Sequence, residues 1–247
     1  MTTPKKIDII HNVAIKLFCF PYAGAGASIY RAWIRMVDDR LTIVPVQLPG
    51  REELFAQAPN RNINEAIDHV VELVRSNAQE GERIAIFGHS FGAVLGFAVA
   101  QHLIDAPYLR LVRLVVSGAI CPITPLGRKS DDLSDDDFVA NVEEIAGYSH
   151  PALADSELRD IVLPALRADV LLHESYVIQD PVILDTPITV IRGADDHLVS
   201  REACAAWQRV TSKDVDILEL TGSHMYFAES PVQLLSLLTQ ILESSSL

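Results

Sequence analysis

Short apolar segments alternate with longer stretches of helical periodicity, and this alternation limits the possible folds more than any other feature of the chain. Several of the apolar segments are nearly continuous in Val, Ile, Leu or Phe, as expected for strands that helices cover on both faces. Strands separated by helices form parallel sheets. The predicted strands are residues 15–20, 42–46, 83–87, 111–117, 188–192 and 215–220. The sequence therefore predicts an α/β fold with a mostly parallel, doubly wound sheet.

Helical periodicity fills most of the intervals between these strands. Outside the interval between the fourth and fifth strands, the predicted helices are residues 29–37, 63–78, 91–104, 201–210 and 232–242. Residues 118–187 interrupt the alternation because they contain no convincing strand. Helices in this interval are predicted at 133–145, 156–168 and 169–178. We expect a single domain over 1–247 in which 118–187 forms a helical lid insertion; an ordinary pair of crossover helices is the alternative.

The charge balance excludes several kinds of partner. The 247 residues include 33 Asp and Glu but only 20 Lys and Arg, which gives a formal net charge of −13. Nucleic acids and anionic membrane surfaces both require clustered basic residues, so neither is an expected partner. Residues 1–12 lack the apolar core of a secretory signal. Cys19, Cys121 and Cys204 are far apart in the chain, and we expect reduced, mostly buried thiols in a cytoplasmic protein.

A serine between a predicted strand and a predicted helix is the first catalytic candidate. Residues 88–92 read Gly-His-Ser-Phe-Gly and precede a small-residue helix. This is the context that the G-x-S-x-G turn requires, because glycines beside the serine permit a sharp turn that raises its hydroxyl above the sheet. We predict Ser90 as the nucleophile and the amide of Phe91 as one oxyanion donor. A structural Gly-rich turn is the alternative.

Later loops supply an acid and a base. A serine nucleophile needs a histidine whose tautomer an acidic residue fixes, in the chain order Ser, Asp or Glu, His. Among the eight histidines, His224 alone follows the last predicted strand through a short Gly-containing turn, and His197 is its strongest rival. Asp195 and Asp196 both follow the preceding strand. We favour Asp196 as the partner of the histidine, with Asp195 stabilising the loop.

The loop after the first predicted strand is rich in small residues. It reads FPYAGAGAS at residues 20–28, and such a loop lets backbone amides approach a substrate carbonyl. We predict the amide of Ala23 as the second oxyanion donor. Nucleotide binding is a weaker interpretation, because Gly24 and Gly26 lack the third glycine of the dinucleotide fingerprint and there is no Walker lysine. The chain also lacks Cys/His metal-ligand spacing, so no cofactor or metal is expected.

Six segments occur in an order that resembles a known family. They are FPYAGAGAS (20–28), QLPGRE (47–52), GHSFGA (88–93), LPALRAD (163–169), GADD (193–196) and GSHMYF (222–227). Together they resemble the stand-alone type II thioesterases of nonribosomal peptide and polyketide biosynthesis, over about residues 16–242. The GHSFGA turn is shared by all α/β-hydrolases, whereas QLPGRE and LPALRAD are more specific to that family.

The resemblance implies an α/β-hydrolase fold and a serine hydrolase that releases acyl groups from the phosphopantetheine arm of acyl- or peptidyl-carrier proteins. By position, it implies Ser90, Asp196 and His224 as the triad and Ala23 and Phe91 as the oxyanion donors. The implied role is editing of stalled synthases by a monomeric enzyme. The main departure from the family pattern is the alanine at position 25, where many members have glycine.

Other functions share part of this chemistry. A carboxylesterase or lipase acting on free oxygen esters would use the same triad. A terminating thioesterase integrated into a synthase is disfavoured, since the sequence begins at its own Met1 with no carrier domain before it. A non-catalytic binding protein is disfavoured because every triad member is present.

Two further expectations concern substrate contacts. Because carrier proteins are acidic, their docking face on this chain should be locally basic or apolar. The basic candidates, which could equally be ordinary solvated residues, are Arg31, Arg35, Arg40, Arg51, Arg128 and Lys129. Acyl preference is expected to depend on Phe138, Tyr148 and Tyr176, whereas His173 is expected to pack or to lie at the surface.

Overall fold

Six parallel strands form one sheet in the computed structural model, which describes residues 14–104, 106, 109–147, 151–229 and 231–244. The strand order is β2-β1-β3-β4-β5-β6, and every pair of neighbours is parallel. The strands are β1 (Ile15–Phe20), β2 (Leu41–Pro45), β3 (Arg83–His89), β4 (Arg110–Ser117), β5 (Ile188–Gly193) and β6 (Val215–Leu220). The predicted α/β class is confirmed.

Eight α-helices lie in the described part of the chain. They are α1 (Ile63–Asn77), α2 (Phe91–His102), α3 (Asp135–Ala146), α4 (Pro151–Ala154), α5 (Ser156–Ser175), α6 (Arg201–Cys204), α7 (Tyr226–Glu229) and α8 (Pro231–Ser244). One large apolar cluster joins α1 and α2 to the sheet, and a second includes α8. Because both faces are covered, β1 and β3 are almost entirely buried. None of the described helices is long and apolar enough to cross a membrane.

Two of the predicted α-helices contain 3-10 structure in place of a regular α-helix. The predicted helix 29–37 is instead a pair of 3-10 turns, Ala27–Tyr30 and Trp33–Arg35. Both of its aromatic side chains are buried, and the Tyr30 hydroxyl donates to the Phe20 carbonyl at 2.8 Å. This contact with the sheet overrides the helical pattern. The segment 201–210 is also mixed, since a 3-10 helix, Ala205–Val210, follows α6.

The interval between β4 and β5 carries α3, α4 and α5. The two helices predicted at 156–168 and 169–178 are one continuous helix, α5, which begins at an Asp155 cap and contains Pro164. The three helices share a small apolar cluster of their own, built on Phe138, Val139, Leu153, Leu163 and Leu166. The predictions for residues 1–12 and for Tyr148 lie outside the described residues.

Candidate active site

Ser90 occupies a strained turn between β3 and α2. Its backbone has φ 53° and ψ −120°, a conformation that non-glycine residues rarely adopt. A Cβ at Gly88 would lie 2.1 Å from the carbonyl oxygen of Gly92, and a Cβ at Gly92 would lie 2.4 Å from the carbonyl oxygen of Phe20. The turn therefore requires both glycines. It holds Ser90 at the wall of a cavity that His224 also lines.

His224 and Asp196 meet at the carboxyl ends of β6 and β5. His224 Nδ1 lies 2.9 Å from Asp196 Oδ2, and both side chains are almost completely buried. Asp196 Oδ1 accepts the backbone N–H of Leu198 at 2.8 Å and that of Val199 at 3.2 Å. Burial alone would raise the pKa of Asp196, but the hydrogen bond and charge of His224, together with these two donors, hold it below its usual value. An ionised Asp196 keeps the proton on Nδ1 and leaves Nε2 as the basic nitrogen.

The neighbouring candidates do not share this environment. Asp195 and His197 are exposed, and the structure brings Asp196 and His224 together instead. A glycine in the same loop makes the approach possible, since a Cβ at Gly193 would lie 2.3 Å from the carbonyl oxygen of Ser223. The two loops that carry the acid and the base are therefore packed directly against each other.

Two backbone amides have the environment expected of oxyanion donors. Phe91 is the first residue of α2, so its N–H has no partner within the helix. Ala23 lies in the loop after β1 and lines the same cavity as Ser90. Within the described ranges, neither amide donates to a protein acceptor. Both are thus available to a substrate oxygen.

Two further histidines lie near this centre. His89 is fully buried, with Nδ1 2.8 Å from Ser117 Oγ and its ring centroid 5.1 Å from that of His224. Its pKa is well below the usual value, mainly because of burial. His173, on α5, lines the cavity rather than the surface. Burial, followed by the charges of Arg128 and His224, lowers the pKa of His173 to about 3. Both rings are therefore neutral at pH 7.

The cavity has a volume of about 360 Å³, and much of its wall is apolar. The α3–α5 segment supplies this lining, which includes Val142, Ile145, Leu153, Val162, Ala165 and Leu166. Phe138 and Tyr176 do not line the cavity, so its lining does not support the prediction that they determine acyl preference. Phe138 is instead fully buried among α3, α4 and α5, where the Arg167 guanidinium lies 4.2 Å from its ring centroid.

Of the six predicted basic docking residues, Arg31, Arg40 and Arg51 form close ion pairs, and Arg128 lines the cavity. Arg51 is buried against Asp169, so its assignment to a docking face is wrong. Arg31 pairs with Glu53, and Arg40 pairs with Asp38 and Glu243. Exposed apolar side chains also occur at the cavity, since Phe55 and Ile161 line it and are 56% and 48% exposed.

A family model described as a thioesterase domain matches residues 15–242. The chain belongs to the thioesterase family. Similar proteins include the gramicidin S biosynthesis protein GrsT of Aneurinibacillus migulanus, 31% identical over 90% of this chain and 86% of GrsT. Thioesterase PikA5 of Streptomyces venezuelae is 33% identical over 87% of this chain and 76% of its own length. Among solved structures, the type II thioesterase BorB from the borrelidin biosynthetic cluster has a TM-score of 0.81 at 29% identity and covers 93% of each chain.

These similarities confirm the resemblance to type II thioesterases that the six sequence segments indicated. They also confirm the α/β-hydrolase fold. Sequence reasoning missed two features of this thioesterase: the cavity-lining position of His173 and the contact between Arg51 and Asp169. The second had a signal in the sequence, because QLPGRE and LPALRAD are both family-specific and carry the opposite charges of Arg51 and Asp169.

Proposed function

We propose that this thioesterase hydrolyses acyl groups held as thioesters on the phosphopantetheine arm of carrier proteins. Ser90, His224 and Asp196 form the triad, and the amides of Ala23 and Phe91 bind the oxyanion. One observation carries the proposal: Ser90, on its strained turn, shares a single cavity with His224, whose Nδ1 is held by a buried Asp196. The relatives support the carrier substrate, since GrsT is named for gramicidin S biosynthesis and BorB comes from the borrelidin biosynthetic cluster.

The reaction follows from these groups in two steps. Ser90 Oγ attacks the thioester carbonyl carbon while His224 Nε2 takes the hydroxyl proton, and the two amides stabilise the negative oxygen. The C–S bond then breaks, and the pantetheine sulfur leaves as a thiol with the proton from His224. In the second step, water loses a proton to His224 and attacks the acyl-serine. The Ser90 ester bond breaks as His224 returns this proton to Ser90 Oγ, and the carboxylic acid leaves with both starting groups restored.

The cellular role that we propose is editing, in which misloaded acyl units are cleared from nonribosomal peptide or polyketide synthases. A monomeric enzyme in the cytoplasm suits this role, because it must reach many carriers. The helices between β4 and β5 act as the lid of the site, since they supply the apolar wall of its cavity. The apolar side chains of Phe55 and Ile161 at the cavity fit a carrier encounter that does not depend on a basic patch.

A comparison of two substrates tests the proposed reaction. We expect kcat/KM for an acyl group on a phosphopantetheinylated carrier protein to exceed that for an aryl ester of the same acyl group. The reason is that only the carrier substrate uses binding contacts beyond the acyl chain. Release from a panel of acyl-loaded carriers, followed by mass spectrometry, measures the first value. Preference for the oxygen ester would instead indicate a carboxylesterase.

The apolar lining predicts a preference for aliphatic acyl chains. Each buried methylene contributes about 0.8 kcal/mol, so kcat/KM should rise about fourfold per methylene until the cavity is filled. Ala165→Phe should move the maximum to shorter chains, because Ala165 is buried and lines the cavity. Ala140→Phe, at an exposed position on α3, is the matched control. An unchanged chain-length profile in Ala165→Phe would place the acyl chain elsewhere.

A further inference from the structure

The two family-specific segments, QLPGRE and LPALRAD, meet beside the loop after β1. Arg51 belongs to QLPGRE, and Asp169 belongs to LPALRAD on α5. Their side chains form a bidentate ion pair, in which Arg51 Nη1 donates to Asp169 Oδ2 and Arg51 Nη2 donates to Asp169 Oδ1 at 3.0 Å. Arg51 is 6% exposed and Asp169 is 2% exposed. The pair therefore joins α5 to the body of the fold from a buried position.

The same pair contacts two backbone groups of the loop after β1, which carries the proposed oxyanion donor Ala23. Asp169 Oδ2 accepts the N–H of Gly24 at 2.8 Å, and Arg51 Nη1 donates to the carbonyl of Ala25 at 3.3 Å. Leu166 lies against the same loop, since a Cβ at Gly24 would be 2.9 Å from Leu166 Cδ1. The close approach of α5 therefore requires glycine at position 24, where φ is +77°.

QLPGRE also fixes the far end of this loop. Glu52, the residue after Arg51, accepts the backbone N–H of Ser28 at 3.0 Å through Oε2, and its Oε1 accepts the Ser28 hydroxyl. The turn that presents both side chains has φ 84° at Gly50, which glycine adopts freely, and a strained φ of 46° at Glu52. Two consecutive charged residues thus hold the loop on either side of Gly26. Stability alone does not explain this arrangement, because replacing a buried ion pair with apolar side chains is often neutral.

We propose that Arg51 and Asp169 are positioning residues that fix the oxyanion donor at Ala23. The Gly24 N–H belongs to the peptide plane that follows Ala23, so its hydrogen bond to Asp169 restricts rotation about the Ala23 dihedral angles. Neither side chain is assigned a contact with the reacting atoms, and both act through the loop. The inference rests on the function proposed above, because it takes Ala23 as an oxyanion donor.

Single substitutions should separate transition-state binding from substrate binding. We expect Asp169→Ala, which removes the acceptor of the Gly24 N–H, and Arg51→Met each to lower kcat on an acyl-pantetheine thioester by about 10- to 100-fold, with KM changed by less than about threefold. Removing an oxyanion donor outright typically costs more, and a displaced donor retains part of its effect. Asp136→Ala is the matched control. It removes the exposed contact of Asp136 with Arg159 on the same α5 and should leave kcat unchanged.

The affinities of the variants for two ligands distinguish a positioning role from a purely structural one. An alkylboronic acid forms a tetrahedral adduct on Ser90 with an oxygen in the oxyanion hole, whereas an S-alkyl pantetheine thioether occupies the cavity without being attacked. We expect the affinity of the two variants for the boronic acid to fall in proportion to kcat, and their affinity for the thioether to be retained. Equal weakening of both ligands would overturn the proposal.

A double variant keeps the test valid if a single variant fails to fold. Arg51→Met with Asp169→Leu replaces the ion pair with apolar side chains, so the unfolding midpoint should recover towards that of the wild type. We expect kcat to stay low, because the Gly24 N–H still lacks its acceptor. Wild-type kcat in the double variant, or its failure to fold, would assign the pair to stability and overturn the proposal.

A failure of the proposed carrier substrate can be told apart from a failure of the positioning role proposed for Arg51 and Asp169. A wild-type enzyme that cleaves small acyl-pantetheine thioesters but not carrier-bound ones would overturn the carrier substrate. The comparison of Asp169→Ala with Asp136→Ala on the small thioester would remain valid.

Discussion

Ser90→Ala is expected to lower kcat for thioester hydrolysis by about 10⁵-fold or more, with the protein still folded. The loss is large because no covalent intermediate can form without the hydroxyl, and His224 and Asp196 then have no nucleophile to activate. Stability should change little, since alanine removes only the hydroxyl oxygen. Turnover of an acyl-pantetheine thioester and a thermal unfolding curve measure the two effects.

Covalent labelling tests the assignment of Ser90 as the nucleophile independently of turnover. A fluorophosphonate probe should label the wild-type protein at Ser90 and should not label Ser90→Ala. Ser28→Ala is a suitable control, because Ser28 lines the same cavity but its hydroxyl donates to Glu52. Retained turnover in Ser90→Ala, or labelling at another serine, would remove Ser90 from the nucleophile position.

The turn around Ser90 could be predicted from sequence because its causes are local. Gly88 and Gly92 lie within two positions of the serine, and each has backbone atoms where a side chain would be. The buried strands were predictable for a similar reason, since a strand covered on both faces must be apolar along its length. The strand predictions therefore fall within two residues of the observed bounds.

The contacts of the helical insertion could not be predicted in this way. Arg51 and Asp169 are 118 positions apart, and their pairing depends on how α5 packs against the loop after β1. The apolar periodicity of α3 does not indicate which of its side chains line the cavity, and Phe138 packs against α4 and α5 residues instead. The buried Tyr30 and Trp33 likewise anchor a 3-10 segment where local periodicity indicates a helix. In each case a tertiary contact decides the outcome.

Asp196→Asn is expected to lower kcat by about 10⁴-fold while the fold is retained. Asp196 Oδ1 accepts two backbone N–H groups, from Leu198 and Val199. In the variant these donors would orient the amide oxygen towards themselves and turn the NH₂ group towards His224 Nδ1. The imidazole would then carry its proton on Nε2 and could not accept the proton of Ser90. The substitution therefore prevents His224 from accepting the proton of Ser90, and this loss should appear in kcat.

Asp195→Asn provides the matched control at the neighbouring position. Asp195 is exposed, and its backbone N–H donates to the Gly222 carbonyl at 3.0 Å, a bond that the substitution keeps. Surface changes of this kind shift free energies by less than about 0.5 kcal/mol, so kcat should stay within about twofold of the wild-type value. A larger loss at Asp195 than at Asp196 would reverse the assignment of the acid. Such a result would require the loop after β5 to rearrange during turnover, because Asp196 holds the imidazole in the resting structure.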